Sequence, residues 1–128
     1  MPLVRITLAQ GRPFEFRRAV ADGVHRALVE AANVPPDDRF QVIEEVPETS
    51  LIWDPRYLAI ERRSPVFVQI VLNHGRTVEV KKALYARIAD ELATSPGLRR
   101  EDVLVNLIEV ERENWSFGNG VMNYPPAL

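Results

Sequence analysis

The chain has 128 residues, 46% of them hydrophobic and 27% charged, which fits one globular domain with a workable core. A net charge of −2 leaves no electrostatic footprint for nucleic acid, and the pairs Arg62–Arg63, Lys81–Lys82 and Arg99–Arg100 read as solvated surface. The lack of cysteine excludes disulfides, thiolate metal sites and cysteine nucleophiles; no apolar run reaches the length of a membrane span and no signal-peptide layout is present, so a cytoplasmic protein is expected.

The first stretch, Met1-Pro-Leu-Val-Arg-Ile6, places a proline directly behind the initiator methionine. Methionine before so small a residue is usually trimmed. The trimmed chain would begin at Pro2 with a free secondary amine. Leu3–Leu8 alternates and predicts a strand. Gly11-Arg12 makes a turn, and Pro13 suits the first position of a helix. Phe16, Val20, Val24, Leu28 and Ala31 form its apolar stripe, while Arg17, Asp22, Arg26 and Glu30 mark the wet side. Asn33-Val-Pro-Pro36 ends the helix, and Arg39–Val46 predicts a second strand.

Residues 47–65 join two halves and read as loop with a short extended piece. Val66–Leu72 is nearly all apolar, as a central strand buried on both faces would be. Gly75-Arg76 is another turn, with Thr77 as N-cap of a helix striped by Val80, Leu84, Ile88 and Leu92. Ser95-Pro-Gly97 ends it, and Val103–Val110 predicts the last strand. The tail, Asn114-Trp-Ser-Phe-Gly-Asn-Gly120 followed by Tyr124-Pro-Pro126, is irregular and aromatic, so it should pack onto something.

The two halves repeat. Shifted by 64 residues, 2–48 falls on 66–112 without a gap. Eleven of the 47 positions are identical, against roughly three expected from average composition. They include Gly11/Gly75, Arg12/Arg76, Glu15/Glu79, Asp38/Asp102 and Glu45/Glu109. Each copy is a β-α-β unit whose strands should be parallel with a right-handed crossover. The expectation is one α/β domain over 1–128, an α+β sandwich with a four-stranded mixed sheet and both helices on one face. The other face would be bare, and self-association is the simplest cover.

The repeat bears on Pro2, because it aligns with Val66 at the start of a buried strand. An amine there would sit in the sheet, not on a frayed end. Held in a partly apolar site, it is a candidate acid or base.

These residues resemble the tautomerase superfamily of N-terminal proline enzymes, in the branch of malonate semialdehyde decarboxylase. Asp38-Arg-Phe-Gln41, Gly75-Arg76 with Lys81-Lys-Ala-Leu-Tyr85, and Asn114-Trp-Ser-Phe-Gly118 carry the likeness, which covers nearly the whole chain. The resemblance implies that Pro2 is the catalytic amine and that Arg76 binds the substrate carboxylate. It implies that Asp38 orients the amine or a water, and that Trp115, Phe117 and Tyr124 form an apolar wall. It implies a homotrimer, no cofactor, and a small carboxylate-bearing oxo acid as substrate.

One position departs from the branch. The decarboxylase has a second arginine where this chain has His74. Decarboxylation needs the leaving carboxylate aligned and the carbonyl polarised, so losing that cation favours keto–enol tautomerisation. Decarboxylation or hydration remains an alternative, as does a noncatalytic oligomeric binding module. Structural roles compete too: Arg76 and its twin Arg12 could be turn residues, and so could Asp38 and Asp102. His74 could simply occupy a turn or, within the site, help hold substrate. His25 reads as surface, and two histidines so far apart give no metal-ligand spacing, so no metal is expected.

Overall fold

In a computed structural model, which describes residues 1–124, alternation becomes burial. In β1 (Leu3–Ala9), Val4, Ile6 and Leu8 enter the core, while Leu3, Arg5 and Thr7 take the opposite face. The chain continues as α1 (Phe14–Ala31), β2 (Phe40–Val46), β3 (Val66–Asn73), α2 (Val78–Thr94) and β4 (Val103–Val110). The sheet order is β2-β1-β3-β4. β1 pairs parallel with β2 and β3 with β4, while the inner strands β1 and β3 run antiparallel.

The register carries the repeat. Arg5 pairs with Gln69, the residue 64 positions on that the repeat superposes on it. Two copies related by a twofold axis between the inner strands would pair in this way. Ion pairs follow the same relation. Arg17 meets Glu45 at 2.8 Å and Lys81 meets Glu109 at 2.6 Å, each tying a helix to the outer strand of its own unit.

Both helices lie on one sheet face. Val20, Val24 and Leu28 of α1 join Leu84, Ile88 and Leu92 of α2 over Val4, Ile6, Val68 and Ile70 in a single core. Burying each such aliphatic side chain contributes about 1.5–3 kcal/mol, so this layer is the main source of stability. Phe16 and Ala31 are only partly buried at its margin, and Val80 is half-buried. Arg26 of α1 and Glu91 of α2 pair at 2.9 Å across the helix–helix contact.

Two local expectations change. Pro13 is the N-cap, not the first helical residue: its ψ of 160° is extended, and its carbonyl accepts from the Phe16 and Arg17 N–H groups. Thr77 caps α2 as its side chain suggests, accepting from the Val80 N–H. The join between halves holds two short 3₁₀ turns, Glu48–Ser50 and Tyr57–Ala59, in place of an extended piece. Pro47 leads into the first, and the Asp54 carboxylate accepts from the Arg56 N–H just before the second.

The face away from the helices has no second layer among the described residues. Leu3, Phe40, Val42, Phe67, Val71, Leu104 and Ile108 share it. Phe40 and Val42 are 45% and 44% exposed, and Leu104 and Ile108 are each 40% exposed. Polar residues interrupt it where Arg5 pairs with Glu44 and Gln69 with Asn106.

Candidate active site

Antiparallel pairing of the inner strands brings the starts of β1 and β2 to the same sheet edge as the ends of β3 and β4. The candidate residues gather there. Pro2 is buried just ahead of β1. The chain's terminal amine, on Met1, lies 3.9 Å from Asp38 Oδ2. Asp38 sits in the turn after α1, where its N–H donates to the Pro35 carbonyl at 3.0 Å. Its side chain is 10% exposed, and Oδ1 is buried without a hydrogen-bond partner among the described residues.

Arg76 reaches the same edge from the turn after β3. Nε and Nη2 donate to the Ala32 carbonyl at 3.2 and 3.1 Å, and Nη1 donates to the Asn73 carbonyl at 3.2 Å. Ala32 is the C-cap of α1, where helix carbonyls lack partners and the dipole is negative. The arginine therefore has a structural role, as its turn position suggested. Three of the five guanidinium N–H groups are occupied, which leaves two for an anion. Its twin Arg12 does something else, lying over the Phe16 ring at 4.4 Å.

The aromatic tail closes one side. The Trp115 and Phe117 rings stack at 5.1 Å, Phe40 stacks on Phe117 at 5.8 Å, and Tyr124 meets Phe117 edge-on at 5.4 Å. Trp115 Nε1 donates to Asn73 Oδ1 at 2.7 Å, and Asn123 Oδ1 accepts from the Phe117 N–H at 2.7 Å. Leu3, Phe40, Trp115, Ser116 and Phe117 line a hollow at the start of β1. The tail thus packs onto its own chain.

Burial is the largest influence on the terminal amine and draws its pKa below the ordinary 8.0. The Asp38 carboxylate opposes this, and the Arg76 and Arg112 cations assist it. Burial also raises the Asp38 pKa above 3.8; the amine opposes that rise and Asp37 adds to it. The edge thus holds a weakened base, a carboxyl with an unused oxygen, a tethered cation and a dry wall. Such a set can move a proton on a small anionic molecule.

A family model described as "Tautomerase enzyme" matches residues 38–118, and a second with the same description matches 2–59. The chain belongs to the tautomerase family. The probable tautomerase YusQ of Bacillus subtilis (strain 168) is 40% identical over 121 residues, spanning 94% of this chain and 95% of YusQ. Among solved structures, the FG41 malonate semialdehyde decarboxylase inhibited by 3-bromopropiolate superposes with a TM-score of 0.90 at 37% identity, covering 95% of this chain and 93% of that one. A malonate semialdehyde decarboxylase solved in wild-type, mutant and inactivated forms, and described as having decarboxylase and hydratase activities, gives 0.89 at 27% identity, with 95% of each chain covered.

Within this tautomerase fold, Pro2, Asp38, Arg76, Trp115, Phe117 and Tyr124 converge on one edge. His74 is placed differently. Its side chain is 56% exposed, with Nε2 2.9 Å from Glu111 Oε2, and its N–H donates to the Val110 carbonyl. It joins the ends of β3 and β4. Two further residues belong to the edge. Asn73 holds both Arg76 and Trp115. Arg112 acts on the amine and lies over the Tyr124 ring at 4.9 Å. In the sequence Asn73 shows only as a polar residue closing an apolar strand, and Arg112 is hidden in the charged run Glu111–Glu113. Among the described residues, no cluster of three or more His, Asp and Glu could hold a metal, and no helix is long and apolar enough to cross a membrane.

Proposed function

We propose that this tautomerase-family enzyme interconverts the enol and keto forms of a small 2-oxo acid, with the secondary amine of Pro2, freed by removal of Met1, as the base. Arg76 holds the carboxylate with its two unoccupied N–H groups. The amine takes the proton from the enol hydroxyl, and the resulting ammonium delivers a proton to the adjacent carbon, restoring the catalyst. Asp38 stabilises the ammonium between the two transfers. Trp115, Phe117 and Tyr124 exclude water and strengthen each charge interaction.

The observation that carries this reading is the position of the terminal amine, 3.9 Å from Asp38 and within the field of Arg76, where burial draws its pKa down. Neutral amine is the form a base needs, and burial outweighs the opposing carboxylate. Trimming would place the reactive nitrogen one residue further in, on Pro2, which is buried ahead of β1.

Decarboxylation of a 3-oxo acid is the second reading, favoured by the likeness to the malonate semialdehyde decarboxylases. It asks for a protonated amine, which the shift opposes. The unpartnered Asp38 Oδ1 suits a bound water, so hydration of an unsaturated acid belongs with this reading. The exposed apolar sheet face supports a homotrimer in which copies cover one another's bare sheets.

The deciding experiment is the ketonisation of phenylenolpyruvate, followed by ultraviolet absorbance, on protein shown by intact mass to lack Met1. A rate well above background that collapses in Pro2→Ala and Arg76→Ala supports the proposal. Turnover of a 3-oxo acid without ketonisation moves the assignment to decarboxylation. Loss of both rates points to a noncatalytic binding module.

A further inference from the structure

Among the described residues no carboxylate lies within ion-pair distance of Arg112. Its neighbour Glu111 is committed elsewhere, to His74. Glu111 has extended backbone, so consecutive side chains leave it in opposite directions. The Asn114 N–H donates to the Glu111 carbonyl at 3.0 Å and fixes the turn that carries Arg112. The guanidinium rests on the face of Tyr124, whose edge meets Phe117. A cation with no carboxylate partner among the described residues therefore stands at the exposed outer end of the aromatic wall, while Arg76 is anchored deeper, at the C-terminus of α1.

We infer that Arg112 reads the far end of the substrate, taking a second anionic group on an acid whose first carboxylate rests on Arg76 and whose carbon chain lies along Phe40, Trp115 and Phe117. Arg112 is a specificity residue, and this role rests on the assignment of Arg76 made above. The position that the branch fills with a second arginine is His74, tied to Glu111. The second cation comes instead from the turn after β4. An exposed guanidinium on an aromatic face contributes to binding more than to chemistry, so its mark is on affinity and on selectivity between acids.

Two six-carbon ligands isolate the contact: 2-oxohexanoate and 2-oxoadipate differ only in the distal carboxylate. Binding is read by quenching of tryptophan fluorescence, with Trp115 in the wall, so the test does not depend on turnover. The wild-type protein is expected to prefer the diacid by roughly two- to fivefold, the upper scale of one exposed ion pair. Arg112→Gln should remove the preference, Arg112→Lys should keep part of it, and salt should weaken it. Equal affinities in the wild type, no binding of either acid, or a preference that survives in Arg112→Gln would each overturn the inference. Phenylenolpyruvate ketonisation with no diacid preference leaves the assignment of Pro2 standing and removes only the role of Arg112.

Discussion

Asp38 and Asp102 are twins in the repeat with opposite hydrogen-bond states. Asp102 is buried, and its Oδ1 accepts from the backbone N–H groups of Arg63 and Ser64 at 2.8 and 3.2 Å, just ahead of β3. Asp38 occupies the matching place in the turn before β2, beside the start of the chain, and its Oδ1 has no partner among the described residues. One carboxylate is spent on holding backbone. The other faces the terminal amine with an oxygen to spare.

The twins should therefore respond to substitution in opposite ways. Asp102→Ala leaves two backbone donors without an acceptor and should cost about 1–3 kcal/mol in urea unfolding. Asp38 is raised above 3.8 in the folded state. Its favourable contribution is complete below the unfolded value and is lost as pH rises through the folded one. At neutral pH the ionised carboxylate is a net cost, so Asp38→Asn should raise the urea midpoint while lowering ketonisation. A lower midpoint at pH 7 would contradict this account.

The pH profile of kcat/KM should show an acid limb set by the terminal amine, since only neutral amine acts as the base, and burial should draw its midpoint below that of a solvated prolyl amine. Asp38→Asn removes the group that favours the ammonium, so it should move the limb to lower pH. Arg76→Gln removes a cation that disfavours the ammonium, so its residual activity should show the limb at higher pH. Shifts of the reverse sign would show that the amine does not set the limb.

Arg76 serves helix and ligand together. Arg76→Ala should reduce kcat/KM by on the order of 10–100-fold, the scale of a charge-assisted hydrogen bond. It should also lower stability by about 1 kcal/mol, because Ala32 and Asn73 lose their donors. Arg76→Lys should recover charge without the fork, and therefore only part of the activity. Steady-state kinetics beside urea titration separates the two effects.

Asn73 holds Trp115 through its side chain. Asn73→Ala should free the indole, raise KM several-fold and leave kcat less affected, since the loss is of wall order and not of the base. Fluorescence anisotropy of a Trp53→Phe background reports Trp115 directly, and unchanged anisotropy would remove the link.

The exposed sheet face predicts self-association. Light scattering should give three times the monomer mass of 14.6 kDa, and Ile108→Glu, which puts a charge on the apolar face, should shift the protein toward smaller species. A monomer in the wild type would leave that face unexplained.

The sequence by itself determined the elements and the repeat, and its family resemblance supplied most of the candidate site. Strand alternation and helix stripes are local patterns, and Val4, Ile6, Leu84 and Ile88 are buried where those patterns place them. Gly75-Arg76, Asp38 and the Trp115–Phe117 motif stood out through their resemblance to the tautomerase superfamily, while the twins of Arg76 and Asp38 in the repeat pointed equally to turn roles. Only the tertiary structure decided how the two units join, since strand order and direction depend on contacts between residues far apart in the chain. That joining brings the beginning of the chain to the ends of β3 and β4, leaves Asp38 Oδ1 without the backbone donors its twin receives, and sets Asn73 and Arg112 at the site. It also commits His74 to Glu111. A side chain's charge is written in the sequence; the partner it meets is a matter of distance, and packing sets the distance.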